Sequence, residues 1–159
     1  MGEATAKLYA AEGAVVIIGG TNPKKGNRVK DEIIAAGGQA RYYGSLNVAS
    51  KESCQAIVDE TMKEFGRIDI LANFAGKSYD GDESMTPEER YQTTMDVNMT
   101  GTYNLVFCVV PHMKEAKSGK IILCSSNGAF NPTTPAYVYH MAKAACESLP
   151  VNLAMELAP

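Results

Sequence analysis

The chain has 159 residues, 45% hydrophobic and 21% charged, with 14 Gly and 7 Pro and no low-complexity tract, which excludes a disordered or collagen-like protein. That length suits one modest domain, able to bury roughly 70% of the surface its unfolded chain exposes. The formal net charge is −3 without blocks of one sign, so no basic stripe exists to follow DNA or RNA phosphates, and no nucleic-acid partner is expected.

Residues 3–12 are helix formers without a cap or entry turn, and Gly13 is a helix-stop signal. Met1 to Lys7 lacks the charged-then-apolar layout of a signal peptide and reads as the interior of a helix. Ala14–Ile18 is short, β-branched and continuously apolar, the pattern of a strand buried on both faces of a parallel sheet. Gly19-Gly20-Thr21-Asn22-Pro23 is its exit loop. From Lys24 to Ala36, Val29, Ile33 and Ile34 recur at helical spacing, and Gly37-Gly38 ends the segment. Gln39–Tyr43 is the next strand and Leu46-Asn47-Val48 its exit. Ser50 is an N-cap for a helix reaching Phe65, with Gly66 as its stop. Ile68–Ala72 is a third buried strand.

After a polar loop, Thr86-Pro87-Glu88-Glu89 combines an N-cap, Pro at the first helical position and acids at the positive helix end. A helical stretch then runs to about Lys117, in one piece or two. Lys120–Cys124 is a further strand, and Pro135 to Leu157 is helical, with Pro150 expected to kink it. Strands alternating with helices of this length predict an α/β fold with a doubly wound parallel sheet in three α/β/α layers. Ligands of such sheets sit at the strand exits, here Gly19–Asn22, Leu46–Val48, Asn73–Gly76 and Ser125–Ser126.

No apolar run approaches the ~18 residues needed to cross a bilayer, so no membrane partner is expected. Cys54, Cys108, Cys124 and Cys146 form no C-x-x-C pair, and there are only two histidines, so no metal site is expected. They read as reduced, mostly buried thiols of a cytoplasmic protein.

The sharpest chemical signal is Tyr139-His140-Met141-Ala142-Lys143, with Ser126 thirteen residues before the tyrosine at a strand exit. Tyr and Lys at i and i+4 share a helix face, so the ammonium can sit near the phenol and lower its pKa. A phenol tuned in that way exchanges a proton in a carbonyl–alcohol interconversion, and Ser126 can hydrogen-bond the same substrate oxygen. Alone, Y-x-x-x-K is a weak signal that more often marks a half-buried tyrosine and a solvated lysine. The serine spacing and the strand–helix context favour the chemical reading.

Taken together, these motifs resemble those of the short-chain dehydrogenases/reductases, a mostly NAD(P)-dependent Rossmann family. Asn73-Phe74-Ala75-Gly76 is similar to the family's N-N-A-G, with Phe74 in place of the second asparagine. Asp96-Val97-Asn98-Met99-Thr100-Gly101 is similar to its N-x-x-G helix motif, and Leu123 to Ser126 to its serine strand. Tyr139 and Lys143 correspond to its catalytic pair. Ser126, not Ser125, fits the family's spacing, and Tyr137 reads as a substrate-side or packing residue.

The resemblance implies a Rossmann-like domain and an oxidoreductase that interconverts a ketone and a secondary alcohol by hydride transfer. Tyr139 would be general acid for reduction and base for oxidation. Lys143 would tune it and bind the nicotinamide ribose, and Ser126 would orient the carbonyl. Asn98 would hold a relay water, although a polar residue that merely kinks its helix is the competing reading. The cofactor-binding residues would be Gly2, Gly20, Thr21, Asn47, Val48, Asn73, Phe74, Ala75 and Gly76 together with Tyr139 and Lys143, with Asn47 and Val48 facing the adenine. No carboxylate follows the Ala14–Ile18 strand to bind a ribose diol, so NADP is preferred and NAD is possible. Lys24 and Lys25 either face a phosphate or form a solvated first turn.

The implied partners are a small carbonyl or alcohol substrate and further copies of the chain, as a homodimer or homotetramer. Gly20-Thr21 and Leu46 to Val48 resemble the 3-oxoacyl carrier-protein reductases in particular. The family's phosphate loop T-G-x-x-x-G-x-G is matched only by Met1-Gly2, and the chain stops at Pro159 where family domains, at roughly 250 residues, continue. Residues 1–159 are therefore expected to be a partial NAD(P)-binding domain, truncated at both ends. The isolated chain is then expected to be inactive, and a non-enzymatic remnant, an interaction module or a regulatory module on the same fold is the alternative.

Overall fold

The alternation read from the sequence is present in a computed structural model that describes residues 1–158. Helix α1 spans Gly2–Ala11, strand β1 Val15–Ile17, α2 Pro23–Ala35, β2 Gln39–Arg41, α3 Lys51–Phe65 and β3 Ile70–Asn73. Then come α4 over Pro87–Met95, a π-helical turn over Asp96–Thr100, α5 over Gly101–Ala116, β4 over Lys120–Leu123, a 3-10 turn at Asn127–Ala129 and α6 over Tyr137–Leu157.

The caps are local and chemical. The Asn22 side chain accepts from Lys25 N at 3.0 Å with Pro23 at the first helical position, and Ser50 Oγ accepts from Ser53 N at 3.1 Å. Gly66 closes α3 in the left-handed region at φ 68°, where a side chain would be strained. Thr86 and Glu89 form a reciprocal capping box that starts α4. The helical stretch after it is unbroken, but its middle turn, around Asn98, is wound wider than an α-helix. Helix α6 runs through Pro150 to Leu157.

The strands pair in parallel, β1 with β2 (Val15 opposite Gln39, Ile17 opposite Arg41) and β3 with β4 (Ile70 opposite Lys120, Asn73 opposite Leu123). The two pairs are not hydrogen-bonded to each other, so the fold is α/β and Rossmann-like but its sheet is incomplete. The expectation of strands buried on both faces is corrected on the same ground. Each strand has a neighbour on one side only, and Val15, Ile70 and Ile122 are 37%, 43% and 42% exposed.

The largest apolar cluster joins α3 to α5 through Cys54, Val58, Leu105, Val109 and Met113, with Leu46 and Val48 from the exit of β2. The opposite side of α5, at Val106 and Val110, packs on Leu153 of α6 and on Leu123. Each such buried Val or Leu contributes about 1.5–3 kcal/mol relative to exposure, which makes α5 the spine of this part of the domain. Gly101 is required there, because a Cβ would stand 2.5 Å from Val48 Cγ2. On the other strand pair, Ala10, Val29, Ile33 and Ala40 form a separate small core. Ion pairs of Lys7 and Arg28 with Glu3 and Glu32 clamp α1 to α2 outside it.

Candidate active site

Parallel pairing carries the exits of β3 and β4 to one edge. Cys124 N donates to Asn73 O at 3.0 Å, which extends the ladder into both loops. The Asn73 side chain then folds the β3 exit: Oδ1 accepts from Ala75 N at 3.0 Å, and Nδ2 donates to Thr102 Oγ at 3.0 Å. Thr102 Oγ in turn donates to Asn98 O at 2.6 Å, so the β3 exit is tied to the wide turn that carries Asn98.

Asn98 is fully buried. Its Nδ2 donates to Lys77 O at 2.7 Å and to Thr94 O at 2.8 Å, while its Oδ1 is buried without a partner. Cys146 Sγ of α6 donates to Asn98 O at 3.3 Å, which brings α6 onto the same turn.

Lys143 lies one turn earlier on α6. It is 3% exposed, and its Nζ donates to Cys124 O at 2.9 Å. That carbonyl is neutral, and no ion pair of Lys143 occurs among the described residues. A buried ammonium has three donors to satisfy and is costly unless paired, so two N–H groups remain for a ligand or water. Gly76 leaves the room they need: a Cβ there would lie 2.6 Å from Asn98 Oδ1 and 3.0 Å from Lys143 Nζ.

Tyr139 sits one turn before Lys143 on the same face, half-buried, with Nζ 5.8 Å from its ring centre. Its backbone N–H donates to Asp80 Oδ2 at 3.2 Å, and that of Val138 to Asp80 Oδ1 at 3.0 Å. Burial works against charge on Asp80, but hydrogen bonds from Ser78, Val138 and Tyr139 outweigh it and hold the carboxyl below its ordinary value. Ser126, extended and half-buried after β4, accepts from Gly128 N at 3.2 Å. The His140 ring packs on Gly128, where a Cβ would come within 2.3 Å of it, and so seats the serine turn against the start of α6.

The structure thus joins Asn98 to Gly76 and Lys143 by direct packing, and Tyr139 and Ser126 to them through α6 and the β4 exit. Gly20 and Leu46 meet at the other two exits, where Leu46 N donates to Gly20 O at 3.1 Å. Thr21 and Asn47 are exposed there, and a Cβ on Gly2 would lie 3.8 Å from the Phe74 side chain. The Val48 side chain is buried against Gly101, while Asn47 faces outward. Tyr137 is 74% exposed and so is not a packing residue. Sequence reading placed Asp80 only within a pocket-lining loop, Lys77–Ser84, and missed its capping role as well as Thr102 and His140. The one hint of Asp80 was Ala136, a helix start that has no capping side chain of its own.

Two cavities lie elsewhere, of about 110 Å³ between Tyr43 and Glu60 and about 440 Å³ between Tyr103 and Leu149.

A sequence model of the family described as short chain dehydrogenase matches residues 1–159. The chain is similar to the short-chain reductase protein NovJ of Streptomyces niveus, at 36% identity over 100% of this chain and 60% of that protein. It is similar in structure to a metagenomic short-chain oxidoreductase in complex with NADP, with a TM-score of 0.89 at 30% identity over 98% of this chain and 70% of that one. A 7α-hydroxysteroid dehydrogenase complexed with NADH and 7-oxo glycochenodeoxycholic acid gives 0.87 at 30% identity, over 96% of this chain and 59% of that one. The chain spans three fifths to two thirds of the length of curated relatives such as an uncharacterized oxidoreductase of Staphylococcus epidermidis, 67% covered, and NovJ, 60% covered.

Proposed function

This chain belongs to the short-chain dehydrogenase family and is by that membership an oxidoreductase, and on that premise we propose that it interconverts a ketone and a secondary alcohol, with Tyr139 exchanging the proton. The observation that carries the reading is the buried Lys143 ammonium, with one neutral partner, beside the unpartnered Asn98 Oδ1 over Gly76. Unsatisfied buried polar groups of this kind are expensive and collect where a ligand completes them.

In the reducing direction the Tyr139 hydroxyl gives its proton to the substrate carbonyl oxygen, and in oxidation the phenolate takes it back. The Ser126 hydroxyl hydrogen-bonds the same oxygen and fixes it against Tyr139. Lys143 stabilises the charge left on the phenol oxygen. Asn98 Oδ1 accepts from a water that returns a proton to the site. A nicotinamide nucleotide supplies or accepts the hydride when bound, since no side chain can do so.

The residues fit that group at two places. Lys143 and Tyr139 offer donors to the ribose beside the nicotinamide, with Asn73, Phe74, Ala75 and Gly76 as the adjoining wall. Gly20, Thr21 and Asn47 stand at the adenosine end, where no carboxylate opposes a 2′-phosphate and the exposed Lys24 and Lys25 attract one. NADP is accordingly the preferred cofactor and NAD the second. The exposed apolar face of α5 and α6, including Tyr103 at 54%, Phe107 at 38% and Met155 at 79%, supports a homo-oligomer.

The test is Tyr139→Phe in the full-length protein, assayed by nicotinamide absorbance with a panel of ketones. Turnover is expected to fall by roughly 10²- to 10⁴-fold while cofactor binding persists. An unchanged rate refutes the assignment.

A further inference from the structure

The first turn of α6 carries Tyr139 and yet has no cap of its own. The N-cap position is Ala136, which has no side chain to accept from the N–H groups that begin a helix unpaired. Those of the second and third residues, Val138 and Tyr139, are the ones an N-cap Ser or Asp ordinarily satisfies. Here both go to the two oxygens of one carboxylate, Asp80, at 3.0 and 3.2 Å and from 58 and 59 residues away.

Asp80 is itself held in place. Ser78 Oγ donates to its Oδ2 at 2.8 Å and accepts from its backbone N–H at 3.3 Å, while Arg90 of α4 donates to its carbonyl at 2.9 Å. Three residues earlier, Lys77 O accepts from Asn98 Nδ2. A single short loop therefore grips Asn98 with one residue and the start of α6 with another.

We propose that Asp80 is a positioning residue for Tyr139: it caps α6 from outside and, through the Lys77–Asp80 segment, sets the phenol at a fixed place relative to Asn98 and Lys143. This rests on the reading of Tyr139 as the proton-exchanging group. The carboxylate charge complements the positive end of the helix, and its capping bonds keep the third residue of α6 from fraying. A tyrosine displaced by a frayed turn loses its approach to the substrate oxygen, and misplacement on the scale of an ångström costs catalysis heavily.

The experiment compares wild type, Asp80→Ala and Asp80→Asn in the full-length protein by amide hydrogen exchange at Val138 and Tyr139 and by steady-state kinetics. In Asp80→Ala both amides are expected to exchange about tenfold faster or more, with kcat reduced about tenfold and the KM for cofactor unchanged. Asp80→Asn, which keeps one acceptor oxygen but turns an amide donor towards the other N–H and loses the charge, is expected to protect only one of the two amides and to recover part of the turnover. Unchanged exchange at the two amides overturns the capping role. Unchanged kcat in Asp80→Ala, or a loss that follows the unfolded fraction or a raised cofactor KM, overturns the positioning role. Should Tyr139→Phe leave turnover intact, the functional reading fails separately, and the exchange rates still decide whether Asp80 holds the turn.

Discussion

Replacing Gly76 by alanine adds one methyl group where the candidate site is tightest. The backbone tolerates the change, since Gly76 is not among the glycines at positive φ, so its effect comes from contacts alone. The new Cβ would lie 2.6 Å from Asn98 Oδ1, 3.0 Å from Lys143 Nζ and 3.5 Å from Lys143 Cε. Non-bonded carbon contacts are most favourable at roughly 3.5–4.0 Å, so the overlap with Asn98 approaches roughly 1 Å. Asn98 has little room to yield, because its Nδ2 is held by the carbonyls of Lys77 and Thr94. Overpacking of this kind costs about 1–3 kcal/mol, which for a protein of this size lowers Tm by about 2–12 °C. The larger effect falls on turnover, expected to drop by roughly 100-fold as Lys143 and Asn98 are pushed apart. Thermal unfolding and steady-state kinetics of Gly76→Ala measure both quantities. Gly81→Ala, with nothing within 4 Å of its Cβ, is the control expected to change neither. A Gly76→Ala protein with wild-type kcat would show that this crowded point plays no part in the chemistry.

Thr102→Val removes the hydroxyl shared by Asn73 Nδ2 and Asn98 O and leaves a buried amide unpaired. A loss of about 1–3 kcal/mol is expected in urea titrations, and a neutral result refutes the link between the β3 exit and the wide turn. Hydrogen bonds from Arg28 and then Lys7 hold the Glu3 carboxyl at about 2, below its ordinary 4.5. Because the folded value is the lower one, this contribution is present above pH 4.5 and is lost as the pH falls towards 2. The urea midpoint at low salt should decline across that window, less steeply in Glu3→Gln, and equal slopes contradict the clamp. Burial, and next the neighbouring Cys108, push the Cys54 thiol up to about 11. It should therefore resist a thiol reagent at neutral pH until the protein unfolds, and labelling of the native state contradicts that burial.

Much of this architecture is legible from local pattern. The caps at Asn22, Ser50 and Thr86 and the stop at Gly66 stand where residue type and backbone preference place them, because each involves atoms within a turn or two. Strand ends were less legible: β2 stops at Arg41 rather than Tyr43, and β3 begins at Ile70 rather than Ile68, since pairing length depends on a distant partner. The burial of the Val48 side chain depends on a distant partner in the same way. A strand-exit position is equally open to a ligand or to a helix, and the approach of Gly101 on α5 filled it from the other side.

Local pattern was enough to read the succession of helices and strands and to put Tyr139 and Lys143, the candidate chemical pair, one turn apart on one helix face. Those features follow from the helical period and from backbone preferences, which act over a few residues. Long-range packing is what buries Lys143 with a carbonyl for partner, sets Asn98 Oδ1 against Gly76 unpaired, and brings Asp80 to the uncapped start of α6. Each of these joins atoms far apart along the chain. Their meeting depends on how α5 and α6 pack over the strand exits, and no spacing in the sequence encodes that packing.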